Sequence, residues 1–221
     1  VAAFEYDAER ELHRIRAALQ PGAYPFGPYH TFTISEPKPR LISAAPYRDR
    51  VVHHALCNVL EPVYERTLIS DTCACRKDKG THAAVRRCHA FACRFPWVLK
   101  ADIRKFFPSI DHAVLKAQLV RKIKDRRVLD LAGRIIDHSN EQDEVNEFFP
   151  GDDLFTPFER RRGLPIGNQT SQFFGNVYLD ALDHFVKDRL WPRSFVVTNS
   201  PARARARPGG SRGRPSKRSG R

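Results

Sequence analysis

Leu99-Lys-Ala-Asp-Ile-Arg-Lys-Phe-Phe-Pro-Ser-Ile-Asp-His112 is the stretch on which the reading of this chain turns. It closes an apolar run, Phe95 to Ile103, in which Trp97, Leu99, Ala101 and Ile103 alternate with the period of a buried strand. Val98, Lys100 and Asp102 fall on the other face. A carboxylate at the end of a buried strand has to be solvated, paired or metal-bound. Two aromatic residues follow, and after Pro108 a helix is predicted from Asp111, in an N-cap position, to about Lys122. A strand, a turn bearing a carboxylate and a helix are therefore expected in succession.

Beyond this stretch a second helix is expected over about 127–136. Residues 139–162 read as an ordered loop or short hairpin, which contains the only Asp-Asp pair, Asp152-Asp153. Gly163 to Gly167 forms a turn, and Asn168 or Thr170 can cap a helix running to about Lys187. That helix carries Phe174, Val177 or Tyr178, Ala181 and Phe185 at helical spacing. Upstream, residues 1–20 read as an amphipathic helix through Leu12, Ile15 and Leu19, ended by Pro21-Gly22. Tyr24 to Ile34 is a loop leading into a strand, and Arg40-Leu41-Ile42 is a short strand. A helix from Tyr47 to Leu60 is predicted to break at Pro62.

Of the 221 residues 41% are hydrophobic, enough for one large domain or two small ones. No apolar run reaches transmembrane length, and the first ten residues do not form a secretory signal. The formal charge is +13. Residues 191–221 hold nine Lys/Arg and no acid, which leaves about +4 on the rest. The high isoelectric point is thus mainly a property of the tail, whose Arg/Pro/Gly/Ala composition predicts disorder. Five cysteines without a secretory context suggest reduced thiols in the cytoplasm. Cys73, Cys75, Cys88, His89 and Cys93 lack the paired spacing of a zinc ribbon, so zinc is a distant reading.

The stretch 99–112 resembles the first catalytic motif of reverse transcriptases of the retron, group II intron and diversity-generating retroelement type. Arg162-Gly-Leu-Pro-Ile-Gly-Asn-Gln-Thr-Ser-Gln172 resembles the family's next motif, a glycine turn over the nascent base pair. Most members have Gln before that glycine and Pro after the serine. Here Ile166 and Gln172 stand there, as in the diversity-generating group and its relatives. Pro37-Lys-Pro-Arg-Leu-Ile-Ser43, with Tyr47 to Leu56, resembles the fingers region, as does Arg76-Lys-Asp-Lys-Gly-Thr-His82. The resemblance spans roughly 20–190, with several motifs in order.

It implies an α+β fold, the fingers and partial palm of a right-hand polymerase, with an antiparallel palm sheet backed by helices. Residues 1–95 would form the N-terminal helix and fingers, 96–190 a partial palm, and 191–221 the disordered basic tail. The implied reaction is RNA-templated DNA synthesis from dNTPs on a DNA primer, with Mg2+ or Mn2+ assisting an in-line displacement. Asp102 would bind metal through its carboxylate and Ile103 through its carbonyl. The amides of Lys105 and Phe106 would face the triphosphate, and Phe107 would lie under the sugar and exclude a 2′-hydroxyl. Gly167 allows close backbone approach to template or nucleotide. Lys38 and Arg40 would reach the triphosphate, and Arg48, Arg50, Ile166 and Gln169 would face template.

The family's second carboxylate pair, in a Tyr-x-Asp-Asp hairpin, has no counterpart, since no acid follows Asp188. Asp152-Asp153 precedes the glycine turn and reads as loop. Polymerase activity of this chain is therefore expected to be lost or very weak. The alternative is a non-catalytic nucleic-acid-binding module, and an accessory chain that completes the palm is an open partner. A shifted reading frame would account for the tail. It predicts that another frame just past the Leu190 codon encodes Tyr-x-Asp-Asp. An Arg-rich RNA-binding arm is the alternative for the tail.

Overall fold

The computed structural model describes residues 1–35, 39–140 and 148–190. It is mainly helical, with one small antiparallel sheet. The predicted N-terminal helix is two, α1 (Ala2–Tyr6) and α2 (Ala8–Leu19), parted at Asp7, whose backbone leaves helical geometry at φ −124° and ψ 42°. A hairpin follows, β1 (His30–Ile34) paired with β2 (Arg40–Ala44) in a register that sets Phe32 opposite Ile42.

Helix α3 (Tyr47–Glu65) does not break at Pro62 but carries it internally. The ring removes only the bond to the Asn58 carbonyl. Leu56, Cys57, Leu60 and Tyr64 are buried on the opposite side, and their packing carries the helix past it. Helix α4 (Gly80–Arg94) buries only Ala84. A short helix, α5 (Phe106–Ser109), precedes α6 (His112–Lys122). The cap expected of Asp111 is present, its carboxylate accepting from the amides of Ala113 and Val114 at 2.8 and 3.0 Å. Asp125 caps α7 (Arg126–Asp137) in the same way. After α8 (Thr156–Glu159) comes α9 (Gln169–His184), which continues as a π-helical turn, Phe185–Leu190.

The main core lies where α9 packs against α3 and α6, and α6 against α7. Leu60, Tyr64, Ile110, Leu115, Ile136, Leu164 and Phe174 are almost fully excluded from water there. The loop after α3 is stitched to α9. Thr72 Oγ1 donates to Asp183, and Asn176 donates to the Ala74 carbonyl, both at 2.8 Å. Arg76, which opens the second fingers-like stretch, spends its guanidinium inside this loop, on Glu65 and on the carbonyls of Ile69 and Thr72.

The strand expected over Phe95 to Ile103 is overturned. Trp97, Leu99 and Ile103 are 89%, 77% and 46% exposed, and the segment pairs with no other strand among the described residues. A strand needs a neighbour for its backbone groups and a cover for its apolar face, and among the described residues neither lies beside this segment. The expected palm sheet is accordingly absent from the described residues, whose sheet is the β1–β2 hairpin. The basic tail, 191–221, lies outside the described residues.

Candidate active site

The first motif enters its turn through Lys105, which adopts left-handed backbone at φ 49°. This geometry is uncommon for a residue other than glycine and recurs at functional turns. Ser109 anchors the turn from below, donating both its amide and its hydroxyl to the Lys105 carbonyl, at 3.0 and 2.9 Å. Asp102 and Ile103 precede the bend on exposed, unpaired backbone. A solvated carboxylate beside a main-chain carbonyl fits a hard cation that keeps several of its waters. No cluster of three or more His, Cys, Asp or Glu suited to a metal occurs among the described residues. The distant zinc set around Cys73 and His89 is therefore not assembled there.

Phe106 and Phe107 sit half-buried, ring centroids 5.2 Å apart, against Gly175 of α9. A methyl group on Gly175 would stand 3.2 Å from the Phe106 ring and 3.4 Å from the Phe107 ring. The glycine inside this helix therefore seats both rings, at the cost in helix propensity that an interior glycine carries.

The glycine-turn motif is bonded to the first motif. The amides of Leu164 and Gly163 donate to the carbonyls of Phe107 and Ile110 at 3.0 and 2.9 Å, and His112 N–H donates to the Arg161 carbonyl at 3.1 Å. Its turn then docks on β2, where Ser43 N–H donates to the Ile166 carbonyl at 2.8 Å. Gly167, at φ 121°, passes so close to the hairpin that a Cβ there would stand 2.8 Å from Ile42 Cγ2. The expected site residues Phe106, Phe107, Ile166 and Gly167 are thus linked to the strand that begins at Arg40.

Other expected site residues are engaged elsewhere. Arg48 approaches Glu11 of α2 at 3.3 Å, and Arg50 lies 5.3 Å from the Tyr47 ring centroid. Gln169 donates to Glu61 of α3 at 3.0 Å. Lys38 lies outside the described residues. Asp153 is a loop residue that accepts from the amides of Phe155 and Thr156, and Asp152 accepts from Phe149 N–H and pairs with Arg160.

The sequence reading missed Asn168, Ser43 and Gly175. A glycine inside a helical pattern was the available signal for Gly175. Asn168 stands at the cap position of α9, but its side chain makes no cap bond and reaches across to β2 instead.

No family model matches the chain. It is similar to Protein YkfC of Escherichia coli K12, 26% identical over 186 residues, covering 81% of this chain and 46% of that protein. It is similar to the group II intron-encoded protein LtrA of Lactococcus lactis subsp. cremoris, 23% identical over 182 residues, 81% of this chain and 28% of that one. A shorter match, 31% over 85 residues, joins 38% of this chain to 12% of nuclear intron maturase 1, mitochondrial, of Arabidopsis thaliana. The chain thus spans less than half the length of each of these curated relatives. Intron-encoded proteins and intron maturases recur among its relatives at low identity.

Proposed function

We propose that this chain carries the nucleotide-facing part of a reverse transcriptase of the group II intron type, built for RNA-templated DNA synthesis from dNTPs. The observation that carries this reading is the joining of the two motifs. Leu164 N–H donates to the Phe107 carbonyl, and the same turn accepts from Ser43 on the strand of Arg40. Residues that the family resemblance assigns to sugar, base pair and triphosphate thereby share one bonded unit. Among the retroelement classes that the motifs suggest, the relatives' names favour the intron class.

In this reading residues 1–95 form the fingers side and 96–190 part of the palm. Asp102 and the Ile103 carbonyl would hold Mg2+ or Mn2+, which when bound supplies charge for the developing phosphoryl transfer. Phe107, seated on Gly175, bounds the sugar pocket and disfavours a 2′-hydroxyl. Gly167 lets backbone lie against the base pair. Arg40, with Lys38, neutralises triphosphate charge.

One carboxylate does not hold the two metals of this chemistry. The chain is therefore expected to bind an RNA template annealed to a DNA primer, without extending it alone. Primer extension with dNTPs and Mg2+ or Mn2+, beside a binding titration, tests this. Salt-sensitive binding without extension supports it. Extension abolished by Asp102→Asn would show a complete active site. Absence of binding would defeat the nucleic-acid reading, and tight binding indifferent to dNTP would favour a non-catalytic binding module.

A further inference from the structure

Asn168 is 2% exposed, and both ends of its amide are used. Nδ2 donates to the Ser43 carbonyl at 2.8 Å, and Oδ1 accepts from Ala45 N–H at 3.1 Å. Those are the two outward-facing backbone groups that a neighbouring strand would satisfy in a ladder. With Ser43 N–H bonded to the Ile166 carbonyl at 2.8 Å, three successive backbone groups along the outer edge of 43–45 are occupied by 166–168. The side-chain amide stands in for the N–H and C=O that one residue of a third strand would turn to this edge. A Ser or Thr hydroxyl carries donor and acceptor on one atom, and Gln carries the same amide one methylene further out, so Asn is the shortest side chain that offers the two on separate atoms. Gly167 closes the fit, since any Cβ would strike Ile42. On the far side, Asn140 Nδ2 donates to Ser43 Oγ at 3.0 Å, so Ser43 is held from two directions.

From this geometry we infer that Asn168 is a positioning residue: it locks the hairpin strand to the glycine turn and so sets where Arg40 stands relative to the Phe107 pocket. The inference rests on the nucleotide-site reading above. Arg40 opens β2 three residues before Ser43, and a strand transmits a shift at Ser43 to Arg40 as a rigid element. Phe107 is tied to the same turn through Leu164. The spacing between the triphosphate-facing cation and the sugar-facing ring therefore passes through the Asn168 amide. Its neutrality matters, because a carboxylate there would confront the Ser43 carbonyl.

The test uses the full chain with an RNA template, a dideoxy-ended DNA primer and Mg2+, titrated with a fluorescent deoxynucleoside triphosphate. Arg40→Ala and Asn168→Ala should each weaken nucleotide binding about tenfold, and the double variant should be little worse than either. A purely structural loss would instead add to that of Arg40→Ala. Asn168→Asp, which keeps the acceptor for Ala45 but sets a buried negative charge against the Ser43 carbonyl, should weaken binding at least as much as Asn168→Ala. Hydrogen exchange should rise in 40–45 of the Asn168 variants and stay unchanged in α6. If Arg40→Ala weakens binding while both Asn168 variants bind normally, or if the losses add, the positioning role is overturned and the site reading stands. If the wild type does not bind, or Arg40→Ala changes nothing, the site reading itself fails and takes the inference with it.

Discussion

Position 167 combines two demands that only glycine meets: φ is 121°, and the space where a Cβ would point is filled by Ile42. Gly167→Ala should destabilise the chain by about 2–4 kcal/mol in denaturant unfolding, combining backbone strain and overpacking. An alanine variant as stable as wild type would show that the turn is not held against the hairpin. Asp183 and His53 make a second prediction. Burial raises the Asp183 carboxyl to about 6, against the Thr72 hydrogen bond, and lowers the His53 imidazole to about 4, against Asp49. The neutral Asp183 contributes stability that is full below about pH 4 and gone above about 6. His53 contributes stability that is full above about 6.5 and lost as pH falls towards 4. The two trends oppose each other, so their joint contribution should be nearly flat between pH 4 and 6.5. Asp183→Asn should stabilise by about 2–3 kcal/mol at pH 7.5 and by almost nothing at pH 4, exposing the His53 slope. Chemical denaturation across that range reads it, and a gain independent of pH would contradict it.

Helix α6 was legible because it opens on Asp111, whose carboxylate caps the first turn, and α7, expected over about 127–136, opens on Asp125 in the same way. Asp111→Ala should cost about 1 kcal/mol, plus whatever its approach to Arg160 at 3.5 Å contributes. Helix α3 was read too short. A proline weighs heavily in a local reading, but its penalty is outweighed when the opposite face is core. Pro62 is exposed, on the side of the helix away from buried Leu60 and Tyr64. Pro62→Ala should therefore stabilise by about 1–3 kcal/mol, as the Asn58 carbonyl regains its donor. A loss of stability in a thermal melt would mean that the ring is needed for packing. The Phe95–Ile103 segment failed for the opposite reason. Its alternation is strand-like, yet a strand exists only as part of a ladder, and alternation says nothing about whether the neighbour is present.

Over the molecule as a whole, the apolar surface is uneven. The α3–α6–α9 core is closed, whereas Val85 of α4 and Trp97, Val98 and Leu99 just beyond it are 58–89% exposed. Exposed apolar side chains in this number promote association. The chain should self-associate at micromolar concentration in sedimentation velocity. Trp97→Ser combined with Leu99→Ser should reduce that association with little change in melting temperature, because neither side chain is packed. A large fall in melting temperature would place these residues in the folded core instead.

Local chemistry carried most of this protein's description. Amphipathic spacing and caps defined the helices. The two motifs named the residues around Phe107 and Gly167 and the order in which they occur. The acid-free stretch after Asp188 was visible in composition alone. What sequence could not supply was the partner of each buried polar group. The resemblance turned Arg48 and Gln169 towards template and put Arg76 in a fingers element, and only the fold shows Glu11, Glu61 and Glu65 beside them. Asn168 read as a helix cap until β2 approached it. A hydrogen bond between residues more than a hundred positions apart leaves no periodic trace along the chain, because it depends on two elements meeting in space.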